Sequence, residues 1–235
     1  MSDMSDMSDK TKIVCIYVGV AVICVLILVT TYFIQGRQVQ PELEPYYARE
    51  SQFEPQLKLE KDLVLTNQDG EQIRVSQLKG KVWAFAQFYA SCPMCAQRNS
   101  QGLKTLYETF KADPDFRLVC ITINPETDGV AEMKSYAEGL GADTSNWWFL
   151  TGDPKALKDY MIEEMKYQAI VKREDPEEAA AQGEYEHDMA IAVYDRNLSM
   201  IKRHDLFNAR KKGDAYFKGE ENKLHFTVKT LLEKK

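Results

Sequence analysis

The chain is poor in residues that bind metals: its 235 residues include only five cysteines and three histidines. One close cysteine pair exists, Cys92 and Cys95, and no second Cys pair or His pair accompanies it. A closed structural zinc site needs four ligands, so this scarcity argues against one. Reversible disulfide exchange, binding of a soft metal ion and a purely structural role remain open for the pair.

The chain also has no excess of positive charge. Thirty lysines and arginines stand against 36 aspartates and glutamates, which gives a formal net charge of −6. Proteins that bind nucleic acid carry basic patches, and none compensates for the acidic balance here. The composition therefore argues against nucleic acid as a partner.

Long apolar runs are equally scarce, and one stretch alone could cross a bilayer. Residues 13–34 carry no charge and would span ~33 Å as a helix. No A-x-A-like cleavage site accompanies them, so we predict a retained transmembrane anchor. A short polar tail at 1–12 would precede the anchor, and a proline-containing tether at 35–60 would lead to the main domain at 61–235.

The periodicity of the main domain predicts an α/β fold. We expect alternating strands and helices, with an acidic exposed loop near the end: a hairpin at 63–75, a buried strand at 82–89, a helix around 103–110, a strand at 116–123, a helix at 130–140, a short strand at 147–150, a helix opened by Asp153-Pro154, the acidic loop at 174–186, strands at 189–195 and 198–203, and a final helix at the C-terminus. This order predicts a sheet of mixed direction with helices on its faces.

The close cysteine pair directly follows the apolar strand at 82–89. Cys92 is therefore expected at a strand-to-helix turn, where free backbone N–H groups and the helix dipole favour a thiolate. Cys120 lies inside the strand at 116–123 and is expected to be buried. Cys15 and Cys24 fall in the apolar run at 13–34 and are expected to act as small hydrophobic residues.

Several separate stretches resemble the Sco/SenC family, thioredoxin-fold proteins that carry copper to cytochrome oxidase assembly. The resemblance covers most of residues 61–204 and rests on short motifs: Leu63–Gly70, Leu78–Lys81, Cys92-Pro93, Thr122–Asp128 and Trp148–Pro154. It implies a thioredoxin-like mixed sheet flanked by helices, preceded by the N-terminal transmembrane helix. It also implies copper, as Cu(I), as the bound ion.

The resemblance assigns the site residues. His187, just before an apolar strand, stands where the family carries its single histidine ligand, so the implied metal ligands are Cys92, Cys95 and His187. From its adjacency alone, Asp188 is expected to orient His187 as a hydrogen-bond acceptor. The other two histidines, His204 and His225, have no such support and are expected at the surface.

The spacing of the cysteines departs from the family, which places three residues between them where this chain has two. The shorter spacing is that of thioredoxin and favours an alternative, a thiol–disulfide oxidoreductase in which Cys92 attacks and Cys95 resolves the mixed disulfide. The residues leave open whether the protein is an enzyme.

The resemblance also implies a partner and a location. The partner would be the copper-site subunit of cytochrome oxidase or another thiol-containing protein. The domain would face the periplasm or the mitochondrial intermembrane space, held to the membrane by residues 13–34.

Overall fold

The computed structural model describes residues 9–37, 53–92 and 100–234. The N-terminal helix belongs to one compact unit and the sheet to another. The predicted tail at 1–8, most of the tether and the second cysteine of the pair, Cys95, lie outside the described residues.

The described part of the N-terminal unit is one long helix, α1 (Asp9–Arg37). Its segment Lys10–Tyr32 has a mean hydropathy of 3.1 and no residue buried by the rest of the protein. Within the described residues it is the one helix long and apolar enough to cross a bilayer. The predicted apolar helix is confirmed, and its length and composition suit a membrane anchor and a signal sequence alike.

The second unit is built on an eight-stranded sheet of order β1-β10-β9-β4-β5-β6-β2-β3. Its strands are β1 (Leu57–Lys58), β2 (Val64–Asn67), β3 (Gln72–Arg74), β4 (Val82–Phe88), β5 (Phe116–Thr122), β6 (Trp147–Thr151), β9 (Ile191–Tyr194) and β10 (Ser199–His204), while β7 (Val171–Lys172) and β8 (Tyr185–Glu186) form a separate pair. The three central strands β4, β5 and β6 run parallel, and β9 runs antiparallel beside β4. The predicted mixed sheet is confirmed.

The helices are α2 (Ser100–Phe110), α3 (Val130–Leu140), α4 (Pro154–Asp159), α5 (Pro176–Gln182), α6 (Leu206–Lys212) and α7 (Asp214–Glu233), with a 3₁₀ turn at Val75–Leu78 and a π turn at Tyr160–Glu164. Helix α3 packs on β6 and β2, and α7 packs on β4, β9 and β10. All seven residues of β4 are buried, as expected of a central strand covered on both faces. Trp83 of β4 stacks on Tyr194 of β9 with ring centroids 4.0 Å apart.

Local signals set several of these boundaries. In the β2–β3 hairpin, Asn67 Oδ1 accepts hydrogen bonds from Asp69 N and Glu71 N, and Gly70 takes a φ of +80° that glycine adopts at little cost. Asp153 caps α4 by accepting from Ala156 N. Gly141 ends α3 in the left-handed conformation.

The acidic segment predicted as an exposed loop at 174–186 is exposed but structured, and that part of the prediction was wrong. It contains α5 and joins β7 to β8, whose residues pair as Val171↔Glu186 and Lys172↔Tyr185. Asp175 accepts hydrogen bonds from the N–H groups of Glu177 and Glu178 at the helix start. The helix buries no side chain, so it lacks the apolar stripe by which a helix is recognised in sequence.

The end of the predicted tether belongs to the sheet. Strand β1 pairs with β10, and Leu59 is 4% exposed. The Glu164 carboxylate accepts hydrogen bonds from the backbone N–H groups of Glu60 and Lys61. The folded domain therefore begins before residue 61, with a two-residue edge strand too short to give a periodic pattern.

Candidate functional site

Cys92 follows the last residue of the central strand β4 and lies at that end of the sheet. After Phe88 the chain turns, and Cys92 N donates to Tyr89 O at 3.1 Å. Tyr89 and Cys92 are 1% and 2% exposed. Cys95 follows outside the described residues, so the structure locates one member of the pair.

A buried carboxylate fixes this turn to the neighbouring strand. Asp128 Oδ2 accepts from Ala90 N at 2.9 Å and from the Thr122 hydroxyl at 2.5 Å. Asp128 is 2% exposed. The backbone just before Cys92 is thereby tied to the end of β5.

Strand β9 brings His187 to the same edge. Because β9 is antiparallel to β4, with Phe85 opposite Ala192 and Trp83 opposite Tyr194, the start of β9 lies beside the end of β4. His187 precedes β9 by four residues and is half-buried. Cys92, which follows β4, and His187, which precedes β9, therefore lie at the same end of the sheet.

The tautomer of His187 follows from its hydrogen bond. Nδ1 lies 3.0 Å from the backbone oxygen of Asp188, and a carbonyl can only accept, so Nδ1 carries the proton. The lone pair of the neutral ring is then on Nε2, and a ring nitrogen with a lone pair can bind a metal. Asp188 is therefore an acceptor for His187, as predicted, and it accepts through its backbone carbonyl. The carboxylate instead accepts from Ala190 N and pairs with Arg203 at 3.4 Å.

Cys92 and His187 both line one cleft of about 490 Å³. The rest of its lining comes from residues in and around β7 and β8 and from α6 with its N-cap: Gln168, Ala169, Val171, Arg173, Gln182, Tyr185, Glu186, Asp188, Met189, Asp205, Phe207, Asn208 and Lys211. Two of the three predicted ligands, Cys92 and His187, thus line the same cleft. Within the described residues alone, no set of three potential ligands converges, and Cys95, which would be the third, is not among them.

The residues that pack around the thiol include two that the sequence did not single out. Tyr89 contacts the His187 ring edge-on, with centroids 5.9 Å apart. Gly183 lies against both Tyr89 and Cys92. In the sequence this glycine interrupts an acidic run and indicates only a turn.

Of the other described cysteines, Cys120 lies in the sheet, and Cys15 and Cys24 lie in α1. Cys120 is buried in β5, as predicted, and accepts a hydrogen bond from Trp147 Nε1 at 3.4 Å. Burial raises the pKa of its thiol to about 12. Cys15 and Cys24 lie exposed on α1.

The predicted surface position of His204 was wrong. Its ring is fully buried, with Nδ1 2.9 Å from Glu220 Oε1 and Nε2 3.1 Å from Thr227 Oγ1. Both partners lie in α7, so packing of that helix on β10 buries the ring. His225 is half-buried near Thr109 and Phe110.

A mixed sheet with helices packed on it, and a cysteine at the turn after its central strand, define the thioredoxin-like class of proteins. Residues 52–215 match the model of the family SCO1/SenC. The match covers more than half of the chain, which therefore belongs to the SCO1/SenC family.

Individual relatives agree with this assignment. The SCO1 protein homolog of Bacillus subtilis (strain 168) is 28% identical over 114 residues, which are 48% of this chain and 58% of that protein. The match thus spans less than two thirds of that relative's length.

Solved structures show the same fold. The structure of BsSco, described as a member of the Sco family of cytochrome c oxidase assembly proteins with a disulfide switch, aligns with a TM-score of 0.61 at 19% identity, over 77% of this chain and 98% of that one. Arabidopsis thaliana ScoI with copper bound aligns with a TM-score of 0.53 at 18% identity, over 71% and 98% of the two chains.

Proposed function

We propose that this chain is a membrane-anchored copper-binding factor for the assembly of cytochrome c oxidase, with Cys92, Cys95 and His187 as ligands of Cu(I). The observation that carries the proposal is that Cys92 and His187, 95 residues apart in sequence, line one cleft. Membership of the SCO1/SenC family supports it. So do the oxidase-assembly role of BsSco and the copper bound to Arabidopsis thaliana ScoI.

The donor set suits a soft ion. Thiolate sulfur and imidazole nitrogen are ligands that Cu(I) accepts, whereas hard cations prefer oxygen. The His187 tautomer, with its proton on Nδ1, presents Nε2 as the donor. Thiols must lose protons to bind and the imidazole must stay neutral, so copper affinity should fall as the solution is acidified.

The cysteine pair adds a dependence on redox state. Oxidation of Cys92 and Cys95 to a disulfide would remove both thiolates from the ligand set. Copper loading would then require the reduced pair. A partner that offers its own thiols could accept the ion by stepwise ligand exchange.

The location follows from the same proposal. Residues 13–34 would anchor the chain, and the domain would lie on the periplasmic or intermembrane-space side. The partner there would be the copper-site subunit of the oxidase or another thiol-containing protein. The apolar character of α1 supports the anchor.

The two-residue spacing of the cysteines favours a second candidate, a thiol–disulfide oxidoreductase. Cys92 would attack a disulfide of the partner, forming a mixed disulfide that Cys95 then resolves, so that the partner is reduced and the pair oxidised. This activity needs no imidazole ligand. His187 therefore distinguishes the two candidates.

The test is an anaerobic titration of the full chain in detergent with Cu(I), in competition with a chromophoric chelator. His187→Ala, Cys92→Ser and Cys95→Ser should each weaken binding by at least about tenfold, or about 1.4 kcal/mol. His225→Ala is the matched control and should bind as the parent does. Unchanged affinity in His187→Ala would remove the imidazole from the site, and equal turnover of a disulfide substrate by the parent and His187→Ala would favour the oxidoreductase.

A further inference from the structure

The backbone of Gly183 lies directly against the thiol and the tyrosine before it. A Cβ at this position would overlap Tyr89 Oη, and would lie 3.2 Å from Tyr89 Cζ and 3.4 Å from Cys92 Sγ. Gly183 is buried and has φ +96° and ψ 155°, a conformation essentially limited to glycine. A side chain is therefore excluded both by space and by backbone conformation.

Tyr89 reaches from the β4 turn to the chain that leads to His187. It stands three residues before Cys92, and its Oη accepts a hydrogen bond from Tyr185 N at 3.3 Å. Its ring meets the Tyr185 ring edge-on at 5.5 Å between centroids, in addition to the His187 ring at 5.9 Å. The Tyr89 side chain thus contacts the residues on both sides of Glu186.

The opposite side of this segment is held by Arg173. Its guanidinium donates to Gly183 O at 2.8 Å, and its backbone N donates to Glu184 O at 2.8 Å. The side chain is 14% exposed and pairs with Glu178 at 3.5 Å. The carbonyl of Gly183 is therefore fixed by arginine while its Cα rests on Tyr89.

We propose that Tyr89 and Gly183 are positioning residues for the Cys92–His187 site. Together they set the distance between residues 183–187 and the turn that ends at Cys92. This distance sets the position of the His187 imidazole relative to the Cys92 sulfur. Neither residue is a ligand. The inference rests on the proposed copper function where copper affinity is measured. The NMR signal of the imidazoles in copper-free protein tests it independently of copper.

The affinity test uses the full chain in detergent and the Cu(I) titration. Gly183→Ala should lower the affinity by about 10–100-fold, the range for loss of an outer-shell support. Tyr89→Phe should lower it by between about twofold and tenfold, the range for one neutral hydrogen bond. The double variant should recover part of the Gly183→Ala loss, because the overlapping oxygen is gone.

Two comparisons separate positioning from packing. In a His187→Ala background, Gly183→Ala should cause no further loss of affinity, since the ligand that it positions is absent. A packing defect would lower the affinity equally in both backgrounds and would overturn the proposal. Gly139→Ala is the matched control: it is an exposed helical glycine whose Cβ would meet nothing within 4 Å, and it should bind as the parent does.

The second readout is the ¹⁵N NMR signal of the imidazoles in copper-free protein labelled at histidine. The parent should show the Nδ1–H tautomer for His187, and both Gly183→Ala and Tyr89→Phe should shift that signal toward a solvent-averaged mixture. Signals identical to the parent in both variants would overturn the proposal, even if Gly183→Ala folds poorly, because Tyr89→Phe removes one atom only. A shifted signal in a chain that binds no copper would support positioning while refuting the copper function.

Discussion

Asp128 holds the turn before Cys92, and its replacement by alanine should destabilise the domain and weaken the site together. Asp128 Oδ2 accepts from Ala90 N and from the Thr122 hydroxyl. In Asp128→Ala both donors lose their acceptor. The end of β4 is then no longer tied to the end of β5.

The size of the effect follows from the burial of the two donors. A buried donor left without its acceptor costs about 1–3 kcal/mol. Thr122 is fully buried, whereas Ala90 is half-buried and water can partly replace its acceptor. We expect Asp128→Ala to lower the free energy of unfolding by about 2–4 kcal/mol, and Asp128→Asn, which keeps an acceptor oxygen, by about 1–2 kcal/mol.

The assay is urea unfolding of the full chain in detergent, followed by fluorescence of the buried Trp83 and Trp147. Glu126→Gln, an exposed acid in the same loop, is the matched control and should change stability by less than about 0.5 kcal/mol. Asp128→Ala should also bind Cu(I) more weakly than the control. If Asp128→Ala unfolds at the same urea concentration as Glu126→Gln, the carboxylate does not secure the turn and the argument is wrong.

Two further predictions concern buried titratable groups. Burial lowers the pKa of His204 below its ordinary value of 6.5, and Glu220 opposes this effect without cancelling it. Below pH 6.5 the unfolded chain therefore binds a proton that the native chain does not. The free energy of unfolding should fall as the pH drops below 6.5, and His204→Gln should flatten this part of the profile; an identical slope in the variant would contradict the assignment. Burial raises the pKa of Cys120 to about 12, so iodoacetamide at pH 8 should leave that thiol unmodified in folded protein and label it in urea, as read by mass spectrometry. Labelling at equal rates in both states would refute this.

Within the domain built on the sheet, elements with a buried face were predictable from sequence, and the exposed helix α5 was not. The continuous apolar run of β4 and the stripe of α3 reflect burial directly. The same Asp-Pro signal that predicted α4 recurs at Asp175-Pro176, yet α5 buries nothing and its acidic composition indicates a loop. His204 was misassigned because the two residues of α7 that contact its ring, Glu220 and Thr227, lie 16 and 23 residues further along the chain.

The candidate site was predictable in part for the same reason. The position of Cys92 after a strand follows from local pattern, and His187 entered through the resemblance to a family. That Cys92 and His187 line one cleft depends on the pairing of β4 with β9, and no local sequence pattern encodes this pairing. The contact of Gly183 with Tyr89 and Cys92 joins residues that are 94 and 91 positions apart in sequence, so the glycine carried no local signal of this contact.

Strands β4 and β9 pair with each other although they lie far apart in sequence, so the two sides of the site are translated at different times. The ribosome adds about 5–20 residues per second, so on the order of 5–20 s pass between translation of Cys92 and that of His187. During this interval the nascent chain already contains its cysteines and lacks its imidazole. With Cys92, Cys95 and His187 as the proposed ligands, a chain not yet translated as far as His187 would offer copper two sulfur ligands alone.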